Sequence, residues 1–445
     1  MTSQILHRQT KKEMPTVAGG EGVYLIDTTG KRYLDGSGGA AVSCLGHNHP
    51  KVIEAIREQI GKVAFAHTSF FANEPSEELA DWLVARAPGD FGRVAFVAGG
   101  SEAVEASLKI CRQAHLENGE DRRTRFIARR QSYHGATMGA MSVGYHAQRR
   151  KPYAEMLTPN TSHISPAYAY RLKEPGESEE EYGLRAAGEL EQEILRLGPE
   201  TVAAFVAETV VGSSIGVAPP PAGYFREIRR ICDQYGVTLI LDEVMSGMGR
   251  TGTLFACEQD GVEPDIVAVA KGLGGGYQPI GASIVSSRVA DAITSGSGTL
   301  MHTHTYMAHA TACAAALAVQ KVVEEEGLLE RVRDRGAYAM NALRDRLEQH
   351  AHVGDIRGRG LFIGVELVAD RETREPFEPD KRVAARIKQT AFENGLICYP
   401  NAASADGERG DHVLLAPPFI ISESEIDELA DKLANSIAAV TASAS

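Results

Sequence analysis

Asp265-Ile266-Val267-Ala268-Val269-Ala270-Lys271-Gly272-Leu273-Gly274-Gly275-Gly276 is an apolar run that ends in a lysine and passes into a glycine-rich turn. The run reads as a buried strand. A lysine at the end of such a strand costs free energy unless something uses its charge or its amine. Desolvation lowers an ammonium's pKa and frees the amine as a nucleophile toward carbonyls. The glycines beyond it let a ligand approach the backbone. A second apolar run, Val237-Thr238-Leu239-Ile240-Leu241, ends in Asp242-Glu243. A cation and an anion thus stand at the ends of two strands expected to be parallel, where open α/β sheets bind ligands. Lys271 taken alone is as readily a surface lysine after a strand; the motifs around it decide.

From about residue 66 to 325 strand and helix patterns alternate. Strands are expected at 93–98, 125–128, 202–207 and 281–286, and helices at 101–117, 178–197 and 224–235. Ser178 with Glu181 fits a capping box. This alternation predicts a mostly parallel sheet covered on both faces. Before it, residues 22–27 and 31–35 flank the turn Thr28-Thr29-Gly30, and His49-Pro50 opens a helix with apolar Val52, Ile53, Ile56 and Ile60. After 326 the pattern shifts to helices at 328–350, 381–394 and 423–440 around short strands at 361–367 and 413–415. Residues 401–410 are expected to form a loop and the tail past Val440 to fray. Three stretches follow: 1–65 and 326–445 as the two parts of a small α+β domain, and 66–325 as the large one.

The chain has 445 residues and a formal net charge of −13. It carries no basic stripe to neutralise phosphates, so nucleic acid is not an expected partner. Arg122-Arg123-Thr124-Arg125 and Arg149-Arg150-Lys151 are short and read as solvated faces. The six cysteines, 44, 111, 232, 257, 313 and 398, show neither C-x-x-C nor metal-ligand spacing; small core residues in a reducing cytosol suit them. The N-terminus has no apolar signal region and no stretch reaches 18 apolar residues. A soluble cytoplasmic protein without a membrane partner is expected.

Four further motifs carry chemistry. Gly99-Gly100-Ser101-Glu102 follows a strand and opens a helix, whose free N–H groups and dipole attract anions; an ordinary helix cap explains it as well. Ser132-Tyr133-His134-Gly135 ends the next strand, where an aromatic side chain can lie on a flat cofactor or simply fill the core. In His302-Thr303-His304-Thr305-Tyr306 no carboxylate or cysteine supports the histidines as zinc ligands, so no metal is expected, while the hydroxyls can reach a phosphate. Gly247-Met248-Gly249-Arg250-Thr251-Gly252 matches G-x-G-x-x-G but leaves little room for a crossover helix before the next strand, and reads as a turn. No G-x-x-x-x-G-K-[ST] exists anywhere in the chain, which removes a P-loop nucleotide hydrolase. A reactive lysine with a carboxylate able to meet a pyridinium nitrogen is the signature of pyridoxal phosphate chemistry.

In this order and spacing the motifs resemble the class III pyridoxal-phosphate aminotransferases, the family of ω-amino acid and amine transaminases. The resemblance runs from about residue 22 to 421. It implies a fold-type I α/β architecture, with a mostly parallel seven-stranded sheet in the large domain and a small domain from both chain ends. It also implies a homodimer or higher assembly with shared sites, and amine and oxo acid substrates. It makes Lys271 the Schiff-base lysine and Asp242 the partner of the pyridine nitrogen. Gly100 and Ser101 would cradle the phosphate, Tyr133 would stack on the ring with His134 beside it, and Glu208 would lie near the cofactor. Thr305 would reach the phosphate of a partner subunit. Where 4-aminobutyrate and ornithine members carry a glutamate, this chain has Gly212-Ser213-Ser214, which favours pyruvate over 2-oxoglutarate. Met245 replaces a glutamine after Asp-Glu-Val, as in amine-type members. Such members place a mobile carboxylate-binding arginine in this neighbourhood, and Arg409 is the candidate, although a plain solvated loop arginine explains it as well. A decarboxylase, epimerase or aminomutase on the same site remains open, as does an inert pyridoxal-binding or regulatory protein, against which the retention of Lys271 and Asp242 speaks.

Overall fold

The computed structural model describes residues 4–442. Its centre is a seven-stranded sheet in the order Phe91–Val97, Gly281–Ser286, Ile266–Val269, Thr238–Asp242, Val202–Glu208, Arg125–Arg129, Thr161–Ile164. The last five strands in that order pair in parallel, and Gly281–Ser286 alone runs against its neighbours. Val202–Glu208 and Thr238–Asp242 are buried along their whole length. That is why they read as unbroken apolar runs rather than alternating ones. The helix Glu179–Leu197 starts with the capping box expected from Ser178 and Glu181.

Because the parallel strands point the same way, their carboxyl ends line one edge of the sheet. Gly99-Gly100, Tyr133-His134, Glu208, Asp242 and Lys271 all fall at or just beyond those ends, and the reversed strand contributes the residues before Gly281. The register sets Glu208 beside Asp242 on neighbouring strands.

Two four-stranded sheets flank this body. One orders Val353–Arg359, Phe362–Leu367, Asp411–Leu415 and Tyr399–Ala402. The other joins Val17–Glu21, Tyr24–Asp27 and Arg32–Asp35 to Leu396–Ile397, which pairs in parallel with Leu34 and Asp35. The expected hairpin around Thr28-Thr29-Gly30 forms, and a third strand, Val17–Glu21, precedes it.

Several expectations are corrected. Residues 401 and 402 belong to a strand, because they pair with His412 and Asp411, so the loop starts later. Ile60 is exposed, since only Val52 and Gln59 of its helix are buried. Arg123 is not solvated; it donates to the carbonyls of Pro199, Val202 and Tyr235 and ties three elements together. The final helix runs Glu423–Thr441, and the tail beyond 442 lies outside the described residues. The six cysteines are free and buried. No helix among the described residues is long and apolar enough to cross a membrane.

Candidate active site

A cavity of about 380 Å³ opens at the carboxyl edge of the central sheet. Gly99, Gly100, Ser101, Tyr133, His134, Glu208, Asp242 and Lys271 line it together, with Val244, Met245 and residues 276 and 278–280 completing the wall. The candidate residues from the strand ends are therefore brought to one place.

Lys271 sits just past Val269 with φ +44, a left-handed backbone that few side-chain-bearing residues adopt. Strain of this kind persists where the surroundings over-determine it, and it clusters at functional sites. Burial lowers the Lys271 ammonium to about 8, Asp242 and Glu208 raise it, and Arg149 and Arg250 lower it further. An amine so placed is in part unprotonated near neutral pH and able to attack a carbonyl.

Asp242 is buried at the end of its strand. One carboxylate oxygen accepts from the Val244 N–H at 2.9 Å, and the other lies 2.8 Å from His134 Nδ1. His134 Nε2 is buried without a partner among the described residues. Glu208 accepts from the N–H groups of Tyr133 at 3.1 Å and Gly212 at 2.9 Å, while burial pushes its carboxyl upward. It thereby fixes the backbone that carries Tyr133.

The eighteen-residue helix Gly100–Glu117 opens at the cavity with no side-chain cap on its first turn. Free N–H groups at a helix start can hold an anion. A Cβ on Gly100 would come within 2.6 Å of Val244, so the backbone there is bare by necessity. Ser101 Oγ accepts from the Ala136 N–H at 3.0 Å, which closes the wall from the Tyr133 side. An unpaired amine, a buried acid, an aromatic side chain and a bare helix start are the groups a phosphorylated pyridine aldehyde requires, so the residues fit pyridoxal phosphate.

The class III aminotransferase family model matches residues 6–437. The chain is a class III aminotransferase. It is 49% identical over 428 residues to an aminotransferase of Schizosaccharomyces pombe, a match covering 96% of this chain and 93% of the relative. Among solved structures it resembles an (S)-enantioselective omega-transaminase from Thermomicrobium roseum, at TM-score 0.90 and 37% identity, covering 97% of this chain and 94% of the other. It also resembles the PMP-bound form of an aminotransferase from Vibrio fluvialis, at TM-score 0.90 and 33% identity, covering 97% and 94%. The fold is that of the fold-type I enzymes, and pyridoxal 5'-phosphate is the cofactor of this class III enzyme.

Two residues named from the sequence stand elsewhere. Thr305 is exposed in a turn and does not line the cavity. Arg409 lies outside it too, with Glu375 at 2.7 Å, Asp406 at 2.9 Å and Glu378 at 3.8 Å. Ser213 and Ser214 are buried close to the site, and a Cβ on Gly212 would lie 2.7 Å from Met245 Sδ, so the small residue at 212 leaves Met245 its room. Residues 278–280 were missed because a short loop before a reversed strand has no periodic signature.

Arg149 was read as solvated and is only partly so. Its guanidinium lies 4.6 Å from the centroid of the Tyr133 ring. No local pattern announces such a stacking partner sixteen residues away.

Proposed function

We propose that this aminotransferase moves an amino group from a primary amine or ω-amino acid to an oxo acid, with pyruvate as the preferred acceptor. The observation that carries the chemistry is the placement of Lys271 Nζ and the Asp242 carboxylate at one cavity, each at a strand end. Bound pyridoxal phosphate supplies an aldehyde that condenses with amines and a ring that accepts an electron pair. Lys271 would hold the cofactor through its amine and, once free, would move a proton at the amine-bearing carbon as general base and acid. Asp242, oriented by His134 and the Val244 N–H, would face the ring nitrogen and favour its protonated form. Gly100 and Ser101 would hold the phosphate at the helix start and Tyr133 would lie against the ring, while Glu208 holds the Tyr133 backbone in place.

The pyruvate preference rests on Gly212-Ser213-Ser214, which lacks an acid to handle glutamate as donor. Arg409 grips the acceptor's carboxylate after leaving its acidic neighbours. In this reading the active unit is a homodimer in which Thr305 serves the neighbour's phosphate, in the cytoplasm. Residues 1–65 and 326–445 act as a small domain against the large one at 66–325, which the pairing of Leu396–Ile397 with Leu34 and Asp35 supports.

The test is a visible spectrum of the purified protein followed by a screen of amines against pyruvate and 2-oxoglutarate, with sedimentation at assay concentration. Amine-dependent alanine formation by a dimer is the expected result. Faster transfer to 2-oxoglutarate overturns the acceptor assignment. Loss of carbon dioxide or inversion at carbon without transfer overturns the reaction, and full activity from a monomer overturns the shared site.

A further inference from the structure

Arg149 is half-buried and stacks on Tyr133, the ring that lines the cavity. Its Nη2 stands 3.5 Å from the hydroxyl of Tyr399, on a strand of a flanking sheet. Among the described residues no carboxylate lies within ion-pairing distance of it. Its neighbour Arg150 differs: that guanidinium donates to the carbonyls of Ser142 and Gly144. Arg409 is occupied as well, by its acids. Arg149 thus keeps a rigid fork of donors beside the cavity with an aromatic support behind it and no anion in front.

A guanidinium in that condition suits a carboxylate, which it can meet with two parallel hydrogen bonds. Its charge is already felt at the reacting centre, where it disfavours the charged form of Lys271. An anion at Arg149 would cancel that repulsion.

We propose that Arg149 binds a carboxylate carried by the amino donor, on the Tyr133 side of the cavity. The proposal rests on the aminotransferase reading and narrows it. Donors with a carboxylate away from the reacting carbon are favoured over plain alkylamines, and Arg149 is the specificity-determining residue for them. Arg409 keeps the acceptor.

The test uses the cofactor-loaded protein and the variants Arg149→Gln and Arg149→Lys. The donor half-reaction is measured with 4-aminobutyrate and with butylamine, which has the same carbon chain without the charge. The acceptor half-reaction is measured with pyruvate. Binding of butyrate, which cannot react, is followed by calorimetry. In Arg149→Gln, kcat/KM for 4-aminobutyrate should fall about ten- to a hundredfold, the loss expected for one charge-assisted contact. Butyrate affinity should fall alongside it. Butylamine, pyruvate and the cofactor's absorbance should change little, and Arg149→Lys should recover part of the loss. Equal losses for 4-aminobutyrate and butylamine overturn the proposal, because they mean that Arg149 only holds Tyr133. A loss confined to pyruvate overturns it in favour of the acceptor. If Arg149→Gln does not fold, Arg149→Lys and the wild-type comparison of butyrate with butanamide decide; equal binding of those two overturns it. A wild type that transfers no amine to pyruvate fails the broader reading, and the butyrate measurement still judges Arg149 separately.

Discussion

His134 Nδ1 lies 2.8 Å from Asp242 Oδ2, and both side chains are buried. The two residues come from strands separated by the one that ends in Glu208, so the imidazole bridges over that strand's end. With the Val244 N–H on the other oxygen, the Asp242 carboxylate has one orientation available. Asp242→Asn should keep the fold and lose about a hundred- to a thousandfold in turnover, the scale of other lost electrostatic partners. Steady-state rates beside circular dichroism check it, and a near-normal rate removes Asp242 from the reaction.

Lys271→Ala should abolish both turnover and the borohydride-reducible lysine adduct formed with pyridoxal phosphate. In the wild type the rate of adduct formation should rise with pH through a midpoint near 8, since burial lowers this ammonium to about that value from 10.5. Between those two values the unfolded chain holds a proton on this amine that the folded chain has released. Stability from this group therefore rises with pH across that window, and below it the full cost, about 3 kcal/mol, is present. Denaturant unfolding of the cofactor-free protein should show this slope, and Lys271→Met should lose it. A midpoint near 10.5 contradicts the burial of the amine.

Gly135 has φ +140, and a Cβ there would lie 2.8 Å from Ser101 Cα and Oγ. Gly135→Ala should push the helix start away from the Tyr133 segment. It should cost about 1–3 kcal/mol of stability and weaken cofactor binding. Gly119→Ala is the control: its φ is +76, but nothing lies within 4 Å. Thermal unfolding with and without cofactor separates the two effects. Equal behaviour of the two variants means that only backbone strain matters.

Arg409→Ala should slow the pyruvate half-reaction about ten- to a hundredfold and leave a simple amine largely unaffected. Stopped-flow measurement of each half-reaction reads the difference. Equal losses place Arg409 in the surface ion-pair cluster with Asp406 and Glu375 alone.

The strand-end placement of the candidate residues was legible in the chain because it depends on local order. An apolar run, a charged residue and glycines together mark where a buried strand emerges, and Asp242 and Lys271 are both of this kind. Features that depend on distant partners were not legible. Arg149 needed Tyr133 and Tyr399; Arg123 needed three carbonyls from separate elements. The helix Glu74–Val84 escaped notice although Asn73 accepts from the Ser76 N–H at its start, because no capping box or long apolar stripe marks it. The edge strand Thr161–Ile164 is only four residues long and partly open, so it lacks the continuous apolar run that revealed its neighbours. Gly281–Ser286 was legible as a strand, but its reversal was not, since direction follows from the path of the connecting loop.

The pairing of Leu34 and Asp35 with Leu396–Ile397 has a consequence for synthesis. The first hairpin leaves the ribosome with one side lacking its neighbour, and the strand that covers it is encoded near the other end of the chain. At ordinary translation speed the wait is roughly 20 to 70 seconds. During that time Leu34, fully buried in the finished protein, has no complete core to enter. Within the central sheet only Phe91–Val97 must likewise wait, for Gly281–Ser286, while the N-terminal strands must be kept from pairing with other nascent chains until Leu396–Ile397 arrives.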